Sequence, residues 1–420
     1  MAKVIKKKQI SSREELEHLD KNELIAKILQ VEAHNFQLKQ IIEKKNGTMD
    51  NKNYTKSSKK KFDFTKCHKR HILLKFYYLG WDYHGFAVQE NTTNTIEYHL
   101  FAALTKSCLI ESRQTANYHR CGRTDKGVSA FSQVISLDIR SRFEPDKQDN
   151  LSAEIAYCKI LNRLLPKNIR CISWSPVRPN ISARFDCKSR TYKYFFPRGG
   201  LNIESMNKAV KLTIGRHDFR NLCKMDVANG VVSFNRTIVD AGITCILKEP
   251  NDKNSGYDMC QLTIKSNAFL WHQIRCIMGI LFLIGREQEK PEIMNDLLDV
   301  QNHPKKPQYN LAHYIPLNLF YCEYDDANWY VDKEEILKVV EDLQEEWTDV
   351  NVKSTMIKNM LQDLQELTDE KNTNIKYQSN CLLQGVESKV YKPLLERETC
   401  ESLEDRIEHY AKKRRLEKSS

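Results

Sequence analysis

The chain has 420 residues, of which 66 are Lys or Arg and 55 are Asp or Glu, and its formal net charge is +11 at pH 7. This length allows two or three domains, and a content of 29% charged and 9% aromatic residues excludes a largely disordered chain. The 13 cysteines are odd in number and show no C-x-x-C spacing, so neither a disulfide framework nor a zinc ribbon is expected.

The positive charge is unevenly distributed along the chain. Residues 1–70 carry 18 basic and 9 acidic side chains, residues 71–330 carry 33 and 26, and residues 331–420 carry 15 and 20. An excess of positive charge on a folded core favours a polyanionic partner such as nucleic acid, although a merely soluble basic protein has the same composition. The basic N-terminus lacks a following apolar signal region, so we expect an intracellular protein without a membrane anchor.

The N-terminal part divides into a helical segment, residues 1–45, and a basic linker, residues 46–69. Apolar residues from Leu24 to Ile42 recur at alternating spacings of four and three, with Asn35 at an a-type position. Two interpretations fit this seam, a two-stranded coiled coil and a single amphipathic helix on the protein surface. The linker contains a Lys cluster and few apolar positions, which is typical of a solvated segment.

From residue 70 onward, strand and helix patterns are mixed. Strands are predicted at 71–78, 134–139, 191–196, 238–247 and 258–265, and helices at 98–108, 151–165, 203–212 and 267–285. Because these elements do not follow strict β-α-β alternation, the expected class is α+β with antiparallel pairing. Helical patterns at 333–347 and 352–368 belong to a charged C-terminal extension, residues 329–420.

The segment Arg120–Val128 is the most unusual part of the sequence, because two glycines bracket two cations and one carboxylate. A phosphate-binding loop would need Gly-Lys-Ser/Thr in that order, and no third group is in view to orient a His119–Cys121 nucleophile pair. A metal site would need more carboxylates or imidazoles. Asp125 therefore remains as a candidate nucleophile or base, alongside the alternative of a polar turn in which it accepts backbone N–H groups.

Five stretches in order resemble the TruA-type pseudouridine synthases. The central one, Gly122-Arg-Thr-Asp125-x-Gly-Val128, resembles the family's G-R-T-D-x-G-V signature. The others are Tyr78–Phe86 with Gln89 behind it, Ala183–Phe185 followed by Arg190–Tyr194, His217–Phe219, and Asn267–Arg275. Residues 307–317 and the C-terminal run from Lys392 to His409 resemble the eukaryotic branch that modifies tRNA uridines 38 and 39.

The resemblance implies an α+β fold of two ferredoxin-like halves, whose antiparallel sheets join around a central catalytic cleft, with helical extensions at both ends. The halves would span residues 70–186 and 187–328. It also implies a tRNA substrate bound at the anticodon stem-loop, a homodimer, a location in the nucleus, the cytoplasm or both, and neither a cofactor nor a metal. Loss of catalysis in a tRNA-binding protein, and a coiled-coil scaffold, are the two rival hypotheses.

The resemblance also assigns roles to four residues. Asp125 would be the catalytic carboxylate, which either attacks C1′ of the target nucleoside or removes a sugar proton. Arg275 would pair with Asp125, although an arginine on the helix surface has the same pattern. Tyr192 would stack on the target uracil and help to remove its C5 proton, unless it is a core tyrosine as we expect for Tyr194. Arg123 would fill the space left by the extruded base or, more simply, contact phosphate.

Overall fold

The computed structural model describes residues 62–249, 255–367, 375–386 and 390–419, and the chain from Asp63 onward forms one compact unit. The strands of the described residues are β1 (His68–Tyr78), β2 (His119–Arg120), β3 (Ser129–Ser141), β4 (Ile169–Pro176), β5 (Ser189–Pro197), β6 (Gly215–Asp218), β7 (Asn235–Leu247), β8 (Met259–Ser266) and β9 (Leu317–Glu323). The α-helices there are α1 (Ile96–Lys106), α2 (Tyr157–Asn162), α3 (Ile203–Lys211), α4 (Gln273–Gly285), α5 (Ile293–Leu298), α6 (Lys333–Glu366) and α7 (Leu403–Ser419).

All of these strands belong to one sheet with the order β4-β1-β3-β9-β5-β8-β7-β6, and β2 pairs with β3. The pairing of β3 with β9 is parallel, and the other pairings are antiparallel. Strand β9 joins the two parts of the sheet, because Ala130 of β3 and Tyr192 of β5 both pair with Leu319. The loop before β3 is thereby brought close to β5 and to the segment that follows β8.

Two clusters of buried apolar side chains pack with this sheet. One contains side chains of β1, β3 and β4 together with α1 and α2, including Phe76 and Trp174. The other contains side chains of β5, β7 and β8 together with α3 and α4, including Phe196 and Phe282. Every residue of α4 is buried, as expected for a helix that is apolar on most of its circumference.

The predicted α+β class with mostly antiparallel strands is confirmed, and the central strands and helices lie close to their predicted positions. Three helix predictions were wrong. The helix expected at 151–165 is only the short α2 with a 3-10 turn before it, the helix expected at 267–285 begins at Gln273, and the two helices expected beyond residue 333 are the single helix α6. Strands β2, β4, β6 and β9 were not predicted.

The predicted division into two ferredoxin-like halves, with its boundaries, remains a prediction. The heptad seam at 22–43 and most of the linker at 46–69 lie outside the described residues. No helix within the described ranges combines the length and the apolar character needed to cross a membrane.

Candidate active site

The turn between β2 and β3 carries Asp125. Its last part is closed by a hydrogen bond from the Val128 N–H to the Asp125 carbonyl oxygen at 3.2 Å. Gly127 has φ +75°, and a Cβ at this position would lie 2.2 Å from Cε2 of the Tyr314 ring. Only glycine combines this backbone conformation with such a close approach, so the second glycine of the motif is required by the shape of the turn.

Residues 78–86 support this turn from behind. The Tyr78 hydroxyl lies 2.8 Å from Oγ1 of Thr124, and the Phe86 N–H donates to the Thr124 carbonyl oxygen at 3.1 Å. Gly85, at φ +97°, approaches the same carbonyl so closely that a Cβ would lie 3.1 Å from it. The first two motifs of the sequence are thus parts of one support that fixes the backbone next to Asp125.

The opposite wall comes from residues 267–272 and the start of α4. His272 has φ +58° and precedes the first residue of the helix, and the Gln273 side chain accepts a hydrogen bond from the Leu270 N–H at 2.8 Å. The Trp271 carbonyl oxygen accepts a hydrogen bond from the Lys224 N–H at 2.9 Å. A turn therefore replaces the first part of the predicted helix, and it brings the side chains of Trp271 and His272 to Asp125.

Three side chains of this wall surround the Asp125 carboxylate. The Trp271 indole N–H donates to Oδ1 at 3.3 Å, and His272 Nε2 lies 3.2 Å from Oδ2. The Arg275 guanidinium is more distant, with Nη1 3.9 Å from Oδ2. Because the Asp125 side chain is 32% exposed, one side of the carboxylate remains open to the cleft.

The ionisation of Asp125 follows from these contacts. Burial alone would raise the pKa of Asp125, but hydrogen bonding and charge from His272, the charge of Arg275 and the Trp271 N–H together bring it below its ordinary value. Asp125 is therefore a carboxylate at neutral pH, the form that can accept a proton or attack an electrophilic carbon.

Arg275 is held by groups other than Asp125. Its Nε donates to the Ala312 carbonyl oxygen at 2.9 Å, its Nη2 donates to Oε1 of Gln384, and its Nη1 lies 3.2 Å from His272 Nε2. Burial lowers the pKa of Arg275, and the charge of Asp125 opposes this effect. An arginine stays protonated under these conditions, so a fixed positive charge lies beside the carboxylate.

Asp125 lies in an open cleft of about 710 Å³. Positive charge dominates its lining, which has six Lys or Arg side chains and two Asp: Arg123, Lys126, Arg184, Lys224, Arg236 and Arg275, against Asp125 and Asp226. A cleft with this charge suits a polyanion such as the RNA backbone.

The structure places all four predicted site residues on this cleft. Tyr192 is half-buried on β5, with its ring edge-on to Phe269 at 5.2 Å between centroids, and burial raises the pKa of its hydroxyl well above the ordinary value. Arg123 is exposed on the turn before β3. Tyr194 is fully buried and donates a hydrogen bond to the His313 carbonyl oxygen at 2.9 Å, as expected of a core tyrosine.

Sequence reasoning missed three residues around the carboxylate and its arginine. Trp271 and His272 contact Asp125 directly, and Gln384, which is far away in sequence, contacts Arg275. Trp271 and His272 lie within the Asn267–Arg275 motif, so the motif could have indicated them as site residues. Gln384 has no such signal, because only the tertiary fold brings it to the site.

The chain is similar to known proteins over most of its length. A family model described as tRNA pseudouridine synthase matches residues 209–325. The tRNA pseudouridine(38/39) synthase of Mus musculus is 45% identical, covering 96% of this chain and 91% of the relative. The proteins of the same name from Homo sapiens and Saccharomyces cerevisiae are also similar. The human protein is 47% identical, covering 86% of this chain and 80% of the relative, and the yeast protein is 41% identical, covering 74% and 72%. The chain therefore belongs to the TruA-type tRNA pseudouridine synthases, a family of RNA isomerases.

Proposed function

We propose that this enzyme isomerises uridine to pseudouridine at positions 38 and 39 of the tRNA anticodon stem-loop. The observation that carries the proposal is the Asp125 carboxyl group in contact with Trp271 and His272 and close to Arg275 on a basic cleft. The two positions are those in the names of the mouse, human and yeast relatives. The reaction breaks the N1–C1′ bond and joins C5 to C1′ without a change of oxidation state, so no cofactor is needed.

Asp125 would serve in either of two routes. In the first, the carboxylate attacks C1′ while the bonding electrons of N1–C1′ leave with the uracil. In the second, it removes a proton from the sugar, so that a glycal forms as the base departs. Uridine deuterated at C2′ distinguishes the routes, because removal of the C2′ proton in a rate-limiting step gives a primary isotope effect and direct attack does not.

Tyr192 and Arg123 would hold the extruded nucleotide. The Tyr192 ring lines the cleft, and stacking of an aromatic ring on a base contributes about 1–3 kcal/mol. Its pKa is raised by burial, so the hydroxyl is protonated and acts as a base only after losing that proton. Full activity of Tyr192→Phe would exclude proton transfer and leave stacking. Arg123 would fill the gap in the RNA stem, and Arg123→Ala should weaken both binding and rate.

The decisive assay maps pseudouridine in unmodified tRNA that carries U38 and U39. The wild-type chain should modify both positions, and Asp125→Asn should give no product while it still binds tRNA. Asp226→Asn is the matched control, because this second carboxylate lies on the same cleft and is not assigned to the chemistry. Modification elsewhere only would overturn the assigned positions, and an active Asp125→Asn would overturn the assigned carboxylate.

We also propose a homodimer, located in the nucleus, the cytoplasm or both, on the strength of the family resemblance. Sedimentation of the full chain tests the dimer directly. A chain that starts at Lys66 tests the Leu24–Ile42 seam, because unchanged dimerisation of the shorter chain would exclude the seam as its cause.

A further inference from the structure

Three buried cysteines lie together outside the catalytic cleft. Cys121 follows β2, Cys187 precedes β5, and Cys322 lies on β9. Their Sγ atoms all lie within 4.8 Å of one another, and those of Cys121 and Cys322 are 3.4 Å apart. The three come from distant parts of the sequence, so the fold gathers them at the junction between the two parts of the sheet.

The spacing of the sulfurs suits a metal ion with three ligands. A metal–sulfur distance of about 2.3 Å in a planar trigonal site requires sulfurs about 4.0 Å apart. In the cluster one pair of sulfurs is 3.4 Å apart and the other pairs are at most 4.8 Å apart, so each pair is within about 0.8 Å of that value or closer than it. Side-chain shifts of well under 1 Å are therefore enough to form the site.

The surroundings of the cluster favour one thiolate among the three, because the contact with Cys121 raises the pKa of both Cys187 and Cys322. Hydrogen bonds with Cys187 and then Cys322 bring the pKa of Cys121 well below its ordinary value, against the effect of burial, and the charge of Arg190 adds to this. The Arg190 guanidinium lies close by, since its Nη2 donates to the Cys121 carbonyl oxygen at 3.1 Å. A thiolate is the form of cysteine that binds metals.

The number and type of ligands select the ion. Structural zinc sites take four ligands, whereas no His, Asp, Glu or further Cys of the described residues joins these three sulfurs in a cluster. All three are buried, which leaves little room for water as a fourth ligand. Soft thiolates without an imidazole, a carboxylate or a fourth thiolate beside them favour Cu(I).

We propose that Cys121, Cys187 and Cys322 form a three-thiolate site for one Cu(I) ion. Binding of the ion displaces thiol protons, so affinity rises with pH. The ion would connect the turn that carries Asp125 to β9, because Cys121 lies four residues before Asp125 in the sequence. The site is separate from the chemistry proposed for Asp125.

The test uses the full chain under anaerobic, reducing conditions, with Cu(I) supplied from a chromophoric chelator. The wild-type chain should withdraw one tightly held equivalent, and X-ray absorption should show three sulfur neighbours and no nitrogen or oxygen. Cys121→Ser, Cys187→Ser and Cys322→Ser should each lose that equivalent. Cys260→Ser is the matched control and should keep it, because Cys260 is also buried but lies in the two-sulfur contact with Cys245.

The opposite results would overturn the proposal. These are no withdrawal of Cu(I), a two-sulfur environment, or loss of the ion in Cys260→Ser alone. Equally tight binding of Zn²⁺ with a fourth ligand would overturn the choice of Cu(I). If the serine variants fail to fold, the wild-type spectrum still decides, because the Cys245–Cys260 pair can supply only two sulfurs.

Discussion

Replacement of Arg275 by Met should move the pH dependence of catalysis. The substitution removes a positive charge 3.9 Å from Asp125 Oδ2 and keeps an unbranched side chain. Two unit charges about 4 Å apart interact by about 4 kcal/mol at an effective dielectric constant of 20 and by about 1 kcal/mol in water. Because the Asp125 side chain is 32% exposed and His272 remains beside it, we expect a loss of about 1–3 kcal/mol, or about 1–2 pKa units.

The sign of this effect follows from the reactive form of the carboxylate. In the proposed function Asp125 acts when ionised, so activity is lost as the pH falls through its pKa. Its pKa is held below the ordinary value in the wild type, and the charge of Arg275 contributes to this lowering. In Arg275→Met the pKa rises, and the acidic limb of kcat/KM should move to higher pH by about 1–2 units.

Release of tritium from tRNA that contains [5-³H]uridine measures this limb, because C5 loses its hydrogen in the reaction. Arg275→Lys keeps the charge and should shift the limb less than Arg275→Met. Arg236→Met removes another cation of the cleft and should weaken tRNA binding without moving the limb. If the rate of Arg275→Met falls while its limb stays in place, the charge argument is wrong and Arg275 only supports the backbone through Ala312.

Three further predictions, one of them with a control substitution, test single contacts. Trp271→Phe removes the N–H that reaches the Asp125 carboxylate, the proposed catalytic group, so kcat should fall about 10- to 100-fold with KM unchanged; an unchanged kcat would contradict this. In urea denaturation, Gly127→Ala should lower stability by more than 2 kcal/mol, since the methyl would clash with an aromatic ring, whereas Gly122→Ala meets nothing within 4 Å and should be neutral. Glu97→Gln should lower the free energy of unfolding by about 2–4 kcal/mol, because the buried Glu97 carboxylate pairs with Arg120. A loss below about 1 kcal/mol would show that this ion pair does not stabilise the fold.

Much of the fold could be predicted because periodic apolar patterns mark strands and helices that pack against a core. The failures are equally physical. The pattern at 267–285 continues through the apolar residues Ala268 to Trp271, but the chain turns there, with His272 at a positive φ and the Trp271 carbonyl oxygen bound by the Lys224 N–H. The two residues of this contact are 47 positions apart in the sequence, so the local spacing of apolar residues cannot predict it.

Helix α6 is a second case in which a local pattern failed. A break was predicted between residues 347 and 352, where β-branched residues reduce helix propensity. The structure has one helix, and contacts on either side of the predicted break support it: Arg170 pairs with Asp342 at 2.8 Å, and Lys358 pairs with Glu249 at 2.6 Å. Tertiary contacts of this kind override a modest local preference.

The candidate site depends on the completed sheet. Asp125 lies on a turn supported by Tyr78 and Phe86 of the first core, whereas His272 and Arg275 come from the segment that follows β8. Strand β9 pairs with both β3 and β5, so the carboxylate meets its partners only when β9 is in place. The same wall that helps to bury Asp125 also supplies the groups that lower its pKa. The contacts that keep the buried Asp125 ionised are thus a property of the assembled sheet, and the Gly122–Val128 motif alone does not supply them.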